Sequence, residues 1–263
     1  MTVPAIKVDE ISYSYGDIQA VDGISFEVAP GEILGFLGPN GAGKSTTIKM
    51  LTGQISPKTG KASILGVDVS RDDPEIQSQI GVCFEEKNLY MNLSALENLE
   101  FFADLFGLKN INAEELLRRV GLADRGKDRV KQYSKGMQQR LMVARSLINS
   151  PKVLFLDEPT DGLDPVSSQT IRKIIKAEAE RGAAVLLTTH DMHEADELSD
   201  RVVFLNEGKI HAMDTPENLK LTHGRRSVKV RYREDGEVRE RIVALDEAAT
   251  GAVSYTHLRA HET

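Results

Sequence analysis

Residues 38–46, read GPNGAGKST, constrain the fold of this chain more than any other stretch. They contain the spacing G-x-x-x-x-G-K-[ST], with Gly38, Gly43, Lys44 and Ser45 at the fixed positions. An apolar run, 33–37, precedes them and a helix-like run, 46–51, follows. Strand, glycine-rich turn and helix in that order make a phosphate cradle. Glycines let successive backbone N–H groups point into one concavity, and the helix N-terminus adds positive potential. Lys44 is then expected on the β- and γ-phosphates, with the Ser45 hydroxyl in a Mg2+ shell. At average residue usage the bare spacing arises by chance in about one chain in a hundred of this length, and the flanking strand and helix lower that further.

The chain has 263 residues, 40% of them hydrophobic and 28% charged, as in ordinary globular proteins with one large domain or a domain with an appendage. A net charge of −7 and a pI near 5.5 argue against broad nucleic-acid binding, which leaves a basic footprint. One cysteine, Cys83, cannot form an internal disulfide, which favours a reducing compartment. Residues 1–10 lack the basic-then-apolar pattern of a signal peptide, and no run of about 18 apolar residues occurs. Any membrane part is therefore expected on another chain.

Alternation at Ile6, Val8, Ile11 and Tyr13, and around Ile24 and Phe26, predicts strands over 6–13 and 21–28. Tyr15 lies between them, read equally as an aromatic under a purine base or as a turn tyrosine on the sheet. Residues 63–69 and 79–84 read as further strands. From about 88 to 150 the chain reads as a helical insertion, with Leu93, Leu96, Leu99, Phe102 and Leu105 as one apolar stripe, then helices over 114–120 and 136–149. Residues 153–156 form an unbroken apolar run, as a central parallel strand covered on both faces requires, and end in Asp157-Glu158-Pro159. A helix over 169–179, a strand over 183–189 ending in His190, a short helix over 194–199 and a hairpin around Glu207-Gly208 follow. Strands alternating with helices imply an α/β fold with a mainly parallel, doubly wound sheet.

Asp157-Glu158 at a strand end supplies what the phosphate loop lacks. Asp157 is placed to bind Mg2+, and Glu158 to orient and deprotonate an attacking water, a role worth about 10²–10⁴-fold. Taken alone, two acids before a proline are a common turn cap.

Together these features resemble the ATP-binding cassette (ABC) ATPases over residues 6–219. Gly38, Pro39, Asn40, Gly41, Ala42, Gly43, Lys44, Ser45 and Thr46 match the Walker A loop. Residues 153–158 match the Walker B strand with its catalytic glutamate, and residues 161–164 the D-loop containing Asp164. His190 is similar to the switch histidine, and Tyr15 falls where the family stacks an aromatic on adenine. The stretch YSKGMQQR, 133–140, is a variant of the family signature, with Ser134 a good N-cap and Gly136 permitting close backbone approach. The resemblance implies a P-loop NTPase with an N-terminal antiparallel β subdomain and an inserted α-helical subdomain. It implies ATP and Mg2+ as cofactors, with Ser45, Glu85 and Asp157 toward the metal. It also implies head-to-tail dimerisation, in which Ser134, Gly136 and Asp164 of one cassette serve the nucleotide of the other. A transmembrane permease encoded separately, a place on the inner face of the cell membrane and the drug, lipid or polysaccharide exporter branch follow from the same resemblance, with no nucleic acid as partner. A non-transport cassette acting on the ribosome or DNA is the alternative; such proteins usually carry tandem cassettes, a long coiled coil or zinc cysteines.

Residues 1–220 are thus expected to form the cassette and 221–252 the start of a β-rich accessory extension, with strands over 227–232 and 238–243. Residues 253–263, VSYTHLRAHET, resemble a translated transposase adapter used in sequencing libraries, so no function is assigned to His257 or His261. Two departures from the family pattern stand out. Lys135 replaces the usual small signature residue, and Glu85 stands where the family usually has glutamine. Glutamate keeps an oxygen ligand but adds a charge beside the γ-phosphate. Glu85→Gln is expected to retain Mg2+ binding and to change the ATP hydrolysis rate; unchanged steady-state ATPase kinetics would contradict that reading.

Overall fold

Three strands with no exposed residue form the centre of the structure: β3 (Ile33–Leu37), β7 (Val153–Asp157) and β8 (Ala184–Thr189). The computed structural model describes residues 3–71, 73–86, 88–109, 111–223, 227–234 and 237–244, in two compact units that divide after Pro216. The tail 253–263 lies outside the described residues.

In the first unit, β1 (Ile6–Tyr15) and β2 (Ile18–Val28) open an antiparallel sheet. After β3 come α1 (Lys44–Leu51), β4 (Thr59–Ile64), β5 (Val67–Asp68), α2 (Pro74–Gln77) and β6 (Ile80–Cys83). The helical insertion holds α3 (Ala95–Leu105), α4 (Ala113–Arg119) and α5 (Lys135–Ser146). Beyond β7, α6 (Pro165–Glu180), β8, α7 (Met192–Leu198), β9 (Arg201–Asn206) and β10 (Lys209–Asp214) complete the unit. One sheet runs β2-β1-β4-β5; the other runs β10-β9-β3-β8-β7-β6, parallel throughout except for β10.

The reason the central strands lack alternation is visible in their packing. Leu154 and Leu156 face one core with α5 and α6, while Val153 and Phe155 face another with α1 and the antiparallel sheet. Parallel sheets covered on both faces have this pattern. The register pairs Leu37 with Thr189 and Asp157 with Thr188, so the carboxyl ends of β3, β8 and β7 lie side by side. Ligands of open α/β sheets bind at such strand ends.

The expected single strand over 63–69 is instead the hairpin β4–β5. Leu65 (φ 50°) and Gly66 (φ 82°) both take left-handed backbone, the requirement of a tight hairpin turn, and Leu-Gly is not a pair that advertises one. The α3 stripe also differs from expectation: Ala95, Asn98, Leu99 and Ala103 are buried, whereas Leu105 is exposed. With Tyr90, Met91, Phe101 and Phe106 it forms an exposed apolar surface, in which the Tyr90 and Phe101 rings meet edge to face at 4.7 Å. Helix α6 begins four residues earlier than expected because Asp164 caps it and Pro165 takes the first helical position.

Helix α8 (Pro216–His223) begins at the boundary, with all but Pro216 in the second unit, which also holds an antiparallel pair, β11 (Ser227–Glu234) with β12 (Glu237–Ala244), registered from Ser227 opposite Ala244 to Glu234 opposite Glu237.

Helix α5 lies close on β6. A Cβ at Gly81 would sit 2.0 Å from the Ser146 carbonyl oxygen, so only glycine fits there. Gly81→Ala is expected to destabilise the fold by about 1–3 kcal/mol through overpacking. Urea unfolding should show a lower midpoint at unchanged slope.

Candidate functional site

The loop from β3 to α1 is wedged between neighbouring backbones. A Cβ at Gly38 would meet the Leu205 carbonyl oxygen at 2.1 Å, and one at Gly43 the Ala20 oxygen at 2.4 Å. Gly43, the residue before α1, has φ 106°, a conformation open to glycine and strained for other residues. Inside the loop Ala42 N donates to Pro39 O, and Gly208 N at the β9–β10 turn donates to Ala42 O at 3.0 Å. Helix α1 has no side-chain cap, so the first-turn N–H groups at Lys44, Ser45 and Thr46 face the loop, as anion binding requires. Lys44 is 6% exposed; its Nζ donates to Gly38 O at 2.7 Å and Pro39 O at 3.3 Å, folding the side chain back over the loop.

Glu158 closes the cradle from the β7 side. Its Oε1 lies 3.5 Å from Lys44 Nζ and its Oε2 2.9 Å from His190 Nδ1. One carboxylate thus bridges the loop lysine and the histidine at the end of β8. Glu158 has φ 49°, a left-handed conformation that costs a non-glycine residue about 1–3 kcal/mol. Thr188 holds it there: Glu158 N donates to Thr188 O and to Thr188 Oγ1, while that hydroxyl donates to Asp157 Oδ1.

A cleft of about 750 Å3 opens over these groups. Tyr15, the loop residues 40–46, Glu85, Glu158 and His190 line it, together with Asp161, Ile18, Gln19 and Ala20. Small-molecule sites typically enclose about 300–1,000 Å3, so a nucleoside triphosphate fits. The Tyr15 ring is about half exposed and rests edge-on against Tyr13 at a centroid distance of 4.9 Å. Glu85 is exposed beyond the end of β6. Asp157, 3% exposed, lies beneath the cleft on Thr188 rather than in its lining.

Six expected site residues lie outside that lining: Gly38 and Pro39 at the start of the loop, Asp157 at the end of β7, and Ser134, Gly136 and Asp164 on other elements. Ser134 caps α5, accepting from Met137 N at 3.2 Å, and is exposed with Lys135 beside it. A Cβ at Gly136 would approach Leu163 at 3.2 Å, which brings the α5 start against the loop before α6. Asp164 caps α6: Oδ1 accepts from Val166 N and Ser167 N, and Oδ2 from Ser167 Oγ at 2.6 Å. The hydroxyl and then the backbone N–H of Ser167, with further help from Val166 N–H, hold its carboxyl below the usual range.

A family profile described as ABC transporter matches residues 21–161, more than half of the chain. The chain belongs to the ABC transporter family. This ABC cassette is 48% identical over 233 residues to a fluoroquinolones export ATP-binding protein of Mycobacterium tuberculosis, a match spanning 88% of the cassette chain and 77% of that relative. It is 40% identical over 218 residues to a lantibiotic transport ATP-binding protein of Streptococcus pyogenes, spanning 82% and 94%. Among solved structures it resembles an ATP-binding subunit of an ABC transporter at TM-score 0.76 and 30% identity, covering 84% of this chain and 93% of that one. It also resembles an ATP-binding cassette solved as a dimer in a post-hydrolysis state with ADP and Pi, at TM-score 0.73 and 28% identity, covering 80% and 98%. The cassette is an ATPase and binds ATP.

Sequence reasoning missed Thr188 as part of the site and named Asp161 only within the D-loop match. Thr188 stands between two apolar strands and carries no motif signal; Asp161 begins the D-loop match and was visible. Gly43→Ala is expected to lower nucleotide affinity by about tenfold and to cost some stability without unfolding the chain, because the added methyl meets the Ala20 oxygen and left-handed strain of order 1–3 kcal/mol falls on the loop expected to hold phosphate. Titration with a fluorescent ATP analogue, alongside circular dichroism, checks both halves of that statement.

Proposed function

We propose that this cassette drives a separately encoded membrane exporter by ATP hydrolysis, working as a head-to-tail pair. The observation carrying the reading is the division of the site. The ends of β3, β7 and β8 bring Lys44, Glu158 and His190 together in one cleft, while Ser134, Gly136 and Asp164 lie outside that cleft's lining. A second cassette placed head to tail supplies the exposed start of α5, a positive helix end, to the phosphates of the first.

In this reading Tyr15 stacks on adenine, and Gly38, Pro39, Asn40, Gly41, Ala42, Gly43, Ser45 and Thr46 wrap the phosphates. Lys44 compensates the β- and γ-phosphate charge. Glu158 leaves Lys44 as phosphate arrives and accepts the proton of the attacking water, with His190 on its other oxygen. Ser45, Glu85 and Asp157 offer hard oxygen donors near the loop, a set that suits Mg2+, which commonly takes one or two protein ligands and completes its shell with phosphates and water. Bound there, the ion supplies charge neutralisation at the β,γ-oxygens.

The names of the relatives, fluoroquinolones export and lantibiotic transport, support export as the direction. In this reading the transmembrane permease is a partner chain and this subunit sits peripherally on the cytoplasmic face; among the described residues no helix is long and apolar enough to cross a membrane. The exposed apolar surface of Tyr90, Phe101, Leu105 and Phe106 is the face offered to that permease. Residues 1–220 form the cassette, with residues 88–150 as its helical subdomain, and 221–252 begin an accessory extension.

Glu158→Gln is expected to cut kcat by about 10²–10⁴-fold by removing the base. With ATP and Mg2+ it should elute as a stable dimer in size-exclusion chromatography with light scattering. A variant that stays monomeric under those conditions would count against the paired mechanism.

A further inference from the structure

Glu194 is a buried carboxylate to which the reading above gives no task. It lies in the first turn of α7 at 2% exposure. Its Oε1 accepts a hydrogen bond from Thr160 Oγ1, and its carboxylate also accepts from the Thr189 hydroxyl. That hydroxyl in turn accepts from Asp191 N at 3.0 Å. Burial pushes the Glu194 carboxyl above its ordinary range, the two threonine hydroxyls and then Arg172 pull it back, and the nearby Glu158 charge raises it further. A helix-end acid that served only the dipole of α7 would remain at the surface, where such a contribution needs no desolvation.

The two threonines that Glu194 grips belong to the two segments that carry Glu158 and His190. Thr160 follows Glu158 by two residues, with Pro159 between; Thr189 directly precedes His190. Glu158 holds a left-handed backbone, which persists only where its surroundings over-determine it. On one side Thr188 anchors it through two hydrogen bonds to Glu158 N. On the other side Asp161 N donates to Glu158 O at 3.2 Å, a turn hydrogen bond, and the Thr160 hydroxyl is the first side-chain anchor after the strained residue.

We infer that Glu194 is a positioning residue for ATP hydrolysis, fixing Glu158 through Thr160 and keeping it registered with His190 through Thr189. This rests on the assignment of Glu158 as the base. The grip acts on orientation only, so it bears on the chemical step and leaves the nucleotide-binding loop and Tyr15 untouched.

The test compares Thr160→Val, which keeps the shape and removes the hydroxyl, with Thr160→Ser, which keeps the hydroxyl. Glu194→Gln and the Thr160→Val/Glu194→Gln double variant complete the set, with kcat, KM for ATP and Tm measured for each. Thr160→Val is expected to lower kcat about tenfold with KM within about twofold, since a misplaced catalytic group costs turnover rather than ground-state binding. Thr160→Ser should retain kcat within about twofold, and the double variant should lose no more than the larger single loss, as residues of one network do. Should Glu194→Gln fail to fold, the Val/Ser pair decides alone. Unchanged kcat in Thr160→Val, equal losses in the Val and Ser variants, or losses that multiply in the double variant would each overturn the inference while leaving Glu158 as the base. Wild-type protein without ATP turnover would overturn both.

Discussion

The Glu158 carboxylate sets the arrangement on which the rest of this structure depends. It stands between Lys44 and His190, so one side chain couples the phosphate loop after β3, the end of β7 and the end of β8. A buried lysine near a loop of carbonyl oxygens needs a counter-charge, and an acid just past the end of β7, one strand beyond β8, offsets its desolvation cost. The parallel register makes this possible: with Leu37 opposite Thr189 and Asp157 opposite Thr188, three chain segments distant in sequence end at one level. A slip of one residue in β7 would turn Asp157 and Glu158 to opposite faces and dissolve the site.

Much of this was legible because local chemistry and global topology agree. The GPNGAGKST stretch needs glycine at Gly38 and Gly43 for two separate reasons, backbone crowding and positive φ, and both leave a mark in the sequence. Unbroken apolar runs announced strands covered on both sides, and those runs ended at the residues that line the cleft. The family relationship agrees with the motif order read from the chain, down to a match over residues 21–161.

The parts that were not legible share a physical cause: they depend on contacts remote in sequence or on backbone states with no compositional signal. Leu65 adopts φ 50° because the strand must turn there, not because leucine favours it. In β1 a bulge with Glu10 at φ 47° puts Val8 and Ile11 on the same buried side, which simple alternation cannot foresee. Leu105 completes a helical stripe on paper, but the described residues leave it exposed near the end of α3. Thr188 matters through the hydroxyl it places between Asp157 and Glu158, and a threonine in an apolar strand gives no hint of that.

Helix α5 has a consequence of its own. Its C-terminal end is clamped to the segment around β6: Ser146 lies against Gly81, and the Arg145 guanidinium donates to Asn88 while stacked 4.4 Å from the centre of the Phe102 ring. Its N-terminal end, with Ser134 and Lys135, is open to solvent. Twelve residues make a rod about 18 Å long. A tilt of about 5° at the clamp therefore swings the signature serine by roughly 1.5 Å, enough to make or break a hydrogen bond. Arg140 midway along the helix donates to Val120 O and Gly121 O, so a tilt of that size would have to carry the neighbouring part of the helical insertion with it.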